Sequence, residues 1–372
     1  MSTPDEQHAD VGRGITLCFD DRGPSSAPVV VLVAGLGQQL IHWPEPLCDA
    51  LVAAGHRVVR YDNRDSGRST HATTPPPGLL PALLGRVPAA NYELHDMAAD
   101  LRGLLDALGV ERAHVVGASM GGMIAQTAAA RYPDRIASLT SIFSTTGARG
   151  IGRPHWTTWI KLGAAAPSSA QQAADAEVRM FRHIGSHGFE FRADRVGELA
   201  RRAWERDASS DGVARQMAAI LKSGDRTAEL AAITAPTLVV HGDRDRMVAT
   251  SGGLATQRAI PGARLWVVPG MGHDYPEGLW PELVARLTAH FRDADGPSTS
   301  GAEPPSAHAT GAAPPAPPAP PAPPAPPPST ATSPARGGAA APAATRTAPA
   351  PSVTTPLSTG AERGLIGTQE PR

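Results

Sequence analysis

The stretch Ala113-His114-Val115-Val116-Gly117-Ala118-Ser119-Met120-Gly121 decides how the chain reads, together with Met123-Ile124-Ala125-Gln126-Thr127-Ala128-Ala129-Ala130 just beyond it. Its first residues have the apolar, β-branched pattern of a buried strand, and its continuation has the pattern of a helix. A Gly-x-Ser-x-Gly pentapeptide joining the two swings the backbone from strand to helix in one sharp turn. That turn forces the serine into a strained conformation, and small residues two before and two after it let neighbouring backbones approach. The Ser119 hydroxyl then stands at the top of a sheet, and the helix N-terminus behind it aims free N–H groups at developing negative charge. The pentapeptide alone says little in a chain with 38 glycines. Its flanks give it meaning.

A serine at such a turn needs a base and an acid, which follow it in the order Ser, Asp or Glu, His. Pro236-Thr237-Leu238-Val239-Val240-His241 is a β-rich run that opens into Gly242-Asp243-Arg244-Asp245. Leu265-Trp266-Val267-Val268 is a second run, closing into Pro269-Gly270-Met271-Gly272-His273-Asp274. His273 is read as the base, since an imidazole takes the hydroxyl proton and returns it near neutral pH. Asp243, Asp245 and Asp274 compete as the acid that holds its tautomer. Asp274 is the least suited, because adjacent side chains on an extended segment point apart.

From Ile15 to Phe291 the chain resembles the α/β-hydrolase superfamily in motif order and spacing. The resemblance implies an α/β fold: a mostly parallel central sheet flanked by helices, with a helical cap insertion. In that family the acid commonly follows the seventh strand as Gly-x-x-Asp, which selects Asp245 and leaves Asp243 as a turn former. The run Val29-Val30-Val31-Leu32-Val33-Ala34 ends in Gly35-Leu36-Gly37, so the backbone N–H groups of Leu36 and Met120 are expected to form the oxyanion hole. The family's usual His-Gly is Ala34-Gly35 here, a change that removes a side chain but no backbone donor. Tyr61 to Thr70 and Arg112 to Gly121 are similar to loops of aclacinomycin methylesterase-like bacterial esterases. The charged loop Arg60-Tyr61-Asp62-Asn63-Arg64-Asp65 is read as a hydrogen-bonded turn supporting the site rather than as a substrate clamp.

The resemblance implies a serine hydrolase cleaving a small or medium carboxylic ester through an acyl-enzyme, with Ser119, Asp245 and His273 as its triad. It requires no metal or organic cofactor. A serine at position 119 excludes haloalkane dehalogenase and epoxide hydrolase routes, which need a carboxylate there. Other chemistries use the same triad: lactone, thioester, carbon–carbon or peptide-end cleavage, acyl transfer and cofactor-free perhydrolysis. A binding protein that keeps the scaffold without catalysis is the reading from another class. The pocket decides among them.

The catalytic motifs occupy about 280 residues, an ordinary size for one α/β domain. The expected plan is a flexible N-terminus over 1–12, core over 13–144, a helical cap over 145–231, core over 232–293 and a tail over 294–372. Within the cap, Ala173, Ala176, Met180 and Phe181 recur at helical spacing, as do Val196, Leu199, Ala200, Ala203 and Trp204, and then Val213, Met217, Ile220 and Leu221. Met180, Phe181, Trp156 and Trp159 are candidates for lining a substrate pocket, the plainer alternative being cap–core packing. His42 is a candidate substrate contact, the plainer alternative being a solvated loop histidine. The tail, with Ala-Pro-Pro repeats from Ala313 to Pro328, reads as disordered polyproline II that encodes no partner pocket of its own, although an SH3-like protein could dock on it.

Lys and Arg number 34 against 35 Asp and Glu, so overall charge argues for neither nucleic acid nor membrane as partner. No secretory signal or spanning segment is evident, and a cytoplasmic protein is the expectation. Cys18 and Cys48 read as buried thiols in a reducing compartment. The oligomeric state leaves no signature in the sequence.

Overall fold

Val29–Val33 (β3) is buried at every position and forms the middle of an eight-stranded sheet. The computed structural model describes residues 5–78, 86–162 and 166–296. The strands are β1 Gln7–Asp10, β2 Thr16–Arg22, β3, β4 Arg57–Tyr61, β5 Ala113–Ala118, β6 Ile136–Ile142, β7 Thr237–Gly242 and β8 Arg264–Val268. They lie in the order β1-β2-β4-β3-β5-β6-β7-β8. The β1–β2 and β2–β4 pairs are antiparallel, and every later pair is parallel.

The unbroken apolar runs of β3 and β5 follow from this placement, because a central parallel strand is covered on both faces. Successive side chains point to opposite faces. Val31, Val33 and Val115 pack with helices α2 (Leu94–Ala107) and α3 (Met120–Arg131). Val30, Leu32 and Val116 pack with α1 (Glu45–Ala53) and α10 (Trp280–Asp295). This sandwich holds the carboxyl ends of β3, β5 and β7 at one edge, where open α/β sheets place their ligands.

The N-terminal residues depart from expectation. Gln7–Asp10 is a strand rather than a flexible leader, paired with β2 from Gln7↔Phe19 to Asp10↔Thr16. Ala9 and Val11 enter the core beside α2, where Gly103 leaves room: a Cβ there would lie 2.4 Å from the Val11 carbonyl oxygen. Two small apolar residues among polar ones are a faint signal for a strand.

Between β6 and β7 the described residues form helices α4 (Trp156–Leu162), α5 (Ala170–Ile184), α6 (Ala193–Arg206), α7 (Asp211–Ser223) and α8 (Thr227–Leu230). Between them, α9 (Ser251–Ala259) and α10 complete the later half. The Pro/Ala-rich tail lies outside the described residues, apart from its first positions, which finish α10.

Buried ion pairs fasten the inserted helices to the loop after β4. Arg206 at the end of α6 donates to the Asp62 carboxylate at 2.7 Å, and Arg215 of α7 donates to Asp65 at 2.7 and 2.9 Å. Both carboxylates are fully buried. Asp62 also accepts from the Leu40 and Arg68 backbone N–H groups. The charged loop is therefore a hydrogen-bonded turn, as expected, and it is also the seat of the cap. Removing one member of a buried pair strands the other's charge, at a cost of about 3–5 kcal/mol. Arg215→Met should lower the urea midpoint accordingly, and Asp65→Asn combined with Arg215→Met should recover much of the loss. Additive losses in the double variant would refute the pairing.

Candidate active site

Ser119 follows β5 and precedes α3 with φ 55° and ψ −120°, a conformation that side chains other than glycine rarely adopt. Its N–H donates to the Ile142 carbonyl at 2.9 Å, and its own carbonyl accepts from Ser144 Oγ at 2.8 Å. The flanking glycines are steric requirements. A Cβ on Gly117 would lie 2.1 Å from the Gly121 carbonyl oxygen, and one on Gly121 would lie 2.1 Å from that of Val33.

The structure brings Ser119, His273 and Asp245 together across 154 and 28 positions of sequence. Ser119 Oγ is 3.0 Å from His273 Nε2, and His273 Nδ1 is 2.7 Å from Asp245 Oδ2. With the Nδ1 proton donated to the carboxylate, Nε2 presents its lone pair to the serine hydroxyl. The second carboxylate oxygen of Asp245 accepts from the Met247 and Val248 N–H groups, both at 2.8 Å. Asp245 therefore has one oxygen locked by backbone and one facing the imidazole. Phe143 packs on the His273 ring with centroids 4.6 Å apart.

The competing carboxylates are occupied elsewhere. Asp243 accepts from the Gly270 N–H at 2.7 Å, joining the loops after β7 and β8. Asp274 accepts from the N–H and hydroxyl of Ser186, at 2.8 and 2.5 Å, just past the end of α5. Burial raises the Asp274 carboxyl above the ordinary carboxylate range.

The loop after β3 lies against Ser119: a Cβ on Gly35 would sit 3.4 Å from Ser119 Cβ. Its shape is held by two glutamines, Gln38 accepting from the Gly35 N–H and Gln216 of α7 accepting from the Gly37 N–H. The N–H groups of Leu36 and Met120 find no acceptor among the described residues.

A cavity of about 380 Å³ reaches His273 and is lined by Phe143, Phe181, Leu199, Tyr275 and Trp280 among others. Helices α5 and α6 supply its roof. His42 lines it too, taking the Gln39 N–H on Nδ1 at 3.0 Å, and burial pushes its imidazole down to about 4, so the ring is neutral. Of the other proposed lining residues, Phe181 is in place, whereas Met180 does not reach the cavity. Trp156 and Trp159 are not in the cavity either but stand exposed to solvent, because the inward face of α4 is Thr158.

The profile of the family with the alpha/beta hydrolase fold matches residues 28–276. The chain belongs to the α/β-hydrolase family. It is 30% identical over 311 residues to rhodomycin D methylesterase DnrP of Streptomyces peucetius, covering 75% of this chain and 96% of that one. It is also 30% identical over 253 residues to a 2-hydroxy-6-oxononadienedioate/2-hydroxy-6-oxononatrienedioate hydrolase of Cupriavidus pinatubonensis, with 67% and 81% covered. Among solved structures, the enol-lactonase of Burkholderia xenovorans LB400 superposes with TM-score 0.59 at 25% identity, covering 76% of this chain and 98% of that one.

Two residues of this α/β hydrolase escaped sequence reasoning. His241, the penultimate residue of β7, is fully buried; its Nε2 donates to the Val248 carbonyl at 2.9 Å and lies 3.6 Å from Asp245 Oδ2. It braces the turn whose N–H groups hold Asp245, and burial lowers its pKa, favouring the neutral ring. The only hint was a polar residue closing an apolar strand. Glu177 of α5 lines the cavity half-buried, with no hydrogen-bond or ion-pair partner among the described residues.

Burial pushes the Glu177 carboxyl up to about 7 from the ordinary 4.5. The folded protein thus holds this proton more tightly than the unfolded chain. The associated stability is present below the ordinary carboxylate pKa and is lost as pH rises through about 7. Glu177→Gln keeps the neutral shape at every pH. Its urea midpoint should therefore match wild type near pH 4 and exceed it near pH 8.5, whereas parallel pH profiles would contradict the raised pKa.

Proposed function

We propose that this chain is a serine esterase cleaving a small or medium carboxylic ester, with Ser119 as nucleophile, His273 as base and Asp245 as acid. One observation carries the reading: the hydrogen-bonded series Ser119–His273–Asp245, with Ser119 on a strained strand-to-helix turn and His273 in the wall of a cavity.

Each part has a chemical task. Ser119 Oγ attacks the ester carbonyl while Nε2 of His273 takes its proton, and the carboxylate of Asp245 stabilises the imidazolium that results. The N–H groups of Leu36 and Met120 receive the oxyanion, and a donor of this kind contributes about 2.7–4 kcal/mol to lowering a barrier. His273 then protonates the departing alcohol. Water enters and attacks the acyl carbon as it loses its proton to the same nitrogen, which passes that proton to Ser119 Oγ as the acyl–oxygen bond breaks and the acid departs. The cavity volume of about 380 Å³ lies in the range of small-molecule sites, and Phe143, Phe181, Tyr275 and Trp280 offer an ester apolar surface to pack against. The methylesterase relative supports a simple alkyl ester. The enol-lactonase makes lactones the second substrate class to screen.

Turnover of a p-nitrophenyl ester series should fall by at least about 10³-fold in Ser119→Ala. A fluorophosphonate probe should label the wild type at Ser119 and leave the variant unlabelled. Equal rates for the two proteins would instead support a ligand-binding role on the same scaffold. Among the carboxylates, Asp245→Asn should lower kcat by up to about 10⁴-fold through loss of the imidazole tautomer, and Asp243→Asn far less. The reverse order would transfer the acid's role to Asp243.

A further inference from the structure

Helix α4 carries an apolar face that the core does not use. Trp156, Trp159 and Ile160 are 68%, 45% and 69% exposed, three of the few large apolar side chains that the described residues leave in solvent. At 100° per residue they fall on the side of the helix away from Thr158. Thr158 is fully buried, donating from Oγ to the Arg246 carbonyl at 2.9 Å and lying 3.1 Å from His183 Nε2. The His155 N–H donates to the same Arg246 carbonyl at 2.9 Å. The exposed face is therefore presented by a helix pinned to the loop that holds Asp245, not by a loose segment.

Along the chain on either side of it the charges have one sign. Between Asp134 and Asp175 the chain has no Asp or Glu at all, while Arg149, Arg153 and Lys161 are exposed on either side of the tryptophans. None of the three has an ion-pair partner among the described residues, although most other arginines here are paired with carboxylates. The near-zero charge of the whole chain averages this local excess away.

From these features we propose that α4 and its flanking cations form a peripheral docking surface for an anionic lipid bilayer. Tryptophan is suited to the headgroup level, where its ring is buried and its N–H stays wet, and isoleucine adds depth. Unpaired arginines and lysines at the rim meet the negative surface potential of anionic lipids, an attraction that reaches about one Debye length. A charge ring of this kind is of little use to an uncharged partner. No helix among the described residues is long and apolar enough to cross a membrane, so the contact is one of lying on the surface. The proposal stands apart from the esterase reading, since none of these residues belongs to the site.

The test is co-sedimentation of the full chain with vesicles of phosphatidylcholine, alone or with about 30 mol % phosphatidylglycerol. Binding should require the anionic lipid and weaken at least fivefold when salt is raised from about 0.05 to 0.5 M. Trp156→Ser/Trp159→Ser/Ile160→Ser and Arg149→Glu/Arg153→Glu/Lys161→Glu should each reduce it at least tenfold, with hydrolysis of a soluble p-nitrophenyl ester unchanged as the check on folding. Brominated lipid should quench wild-type tryptophan fluorescence and lose most of that effect in the serine variant. Absence of binding, binding indifferent to either variant, or self-association by light scattering that the serine variant abolishes would each overturn the proposal.

Discussion

Everything at the site depends on how closely three backbones approach beneath Ser119. Gly121 lies so near β3 that a methyl group would overlap the Val33 carbonyl, and Gly117 lies equally near Gly121. That contact drives the start of α3 into the sheet and leaves Ser119 at φ 55°. A residue held this way is strained by about 1–3 kcal/mol, and it persists only because its surroundings over-determine it. Here they do so through the Ile142 carbonyl, the Ser144 hydroxyl and the buried face of α3. The reward is positional: the hydroxyl cannot withdraw into a relaxed rotamer of an ordinary turn without dismantling the strand–helix junction.

Asp245 and His273, the acid and base of the proposed triad, are fixed by different means. Asp245 is held within its own loop, by two backbone N–H groups and by His241 bracing the turn behind them. His273 is held by the cap. Its N–H donates to the Ile184 carbonyl at the end of α5, and its neighbour Asp274 is anchored by Ser186 just beyond. Ser186 Oγ in turn accepts from the Gly272 N–H. The inserted helices therefore frame His273 as well as roofing the cavity, so a disturbance of α5 reaches the Ser119–His273–Asp245 series as well as the cavity wall. The pairs Asp62–Arg206 and Asp65–Arg215 tie the same insertion to the loop after β4, closing the frame on its other side.

What was legible in the sequence follows from locality. The strands β3, β5 and β7 stand out because burial on both faces demands unbroken apolar runs, and α5 to α7 because one-sided burial demands a period near 3.6. Ser119 and Asp245 stand out because each lies just past the end of such a strand, and His273 because it lies in the turn after β8. Illegible features involve partners distant in the chain or signals too short to have a period. Arg206 and Arg215 look like ordinary surface arginines of amphipathic helices until Asp62 and Asp65 are placed beside them, 144 and 150 residues away. Gln7–Asp10 is too short and too polar to read as a strand. Trp156 and Trp159 invite a pocket assignment because apolar residues near a site suggest lining, but the sequence of a seven-residue helix does not say which way it turns.

That last case bears on how substrate choice is encoded. Ser119 sits on a turn whose geometry is set by backbone contacts, with no room for a Cβ at Gly117 or Gly121. The cavity wall has no such restriction. Phe181 and Glu177 on α5 and Leu199 on α6 line it, Leu199 also packing on the buried cluster of Cys18, Leu40 and Ile41. Glu177 stands there as a half-buried carboxyl with no partner among the described residues. It raises the electrostatic energy of the cavity when ionised and offers a hydrogen-bond donor when protonated, and its proton responds to pH near 7. Its place in the cavity wall, on α5 and away from the turn that carries Ser119, separates the residues that line the cavity from those that hold the triad in place.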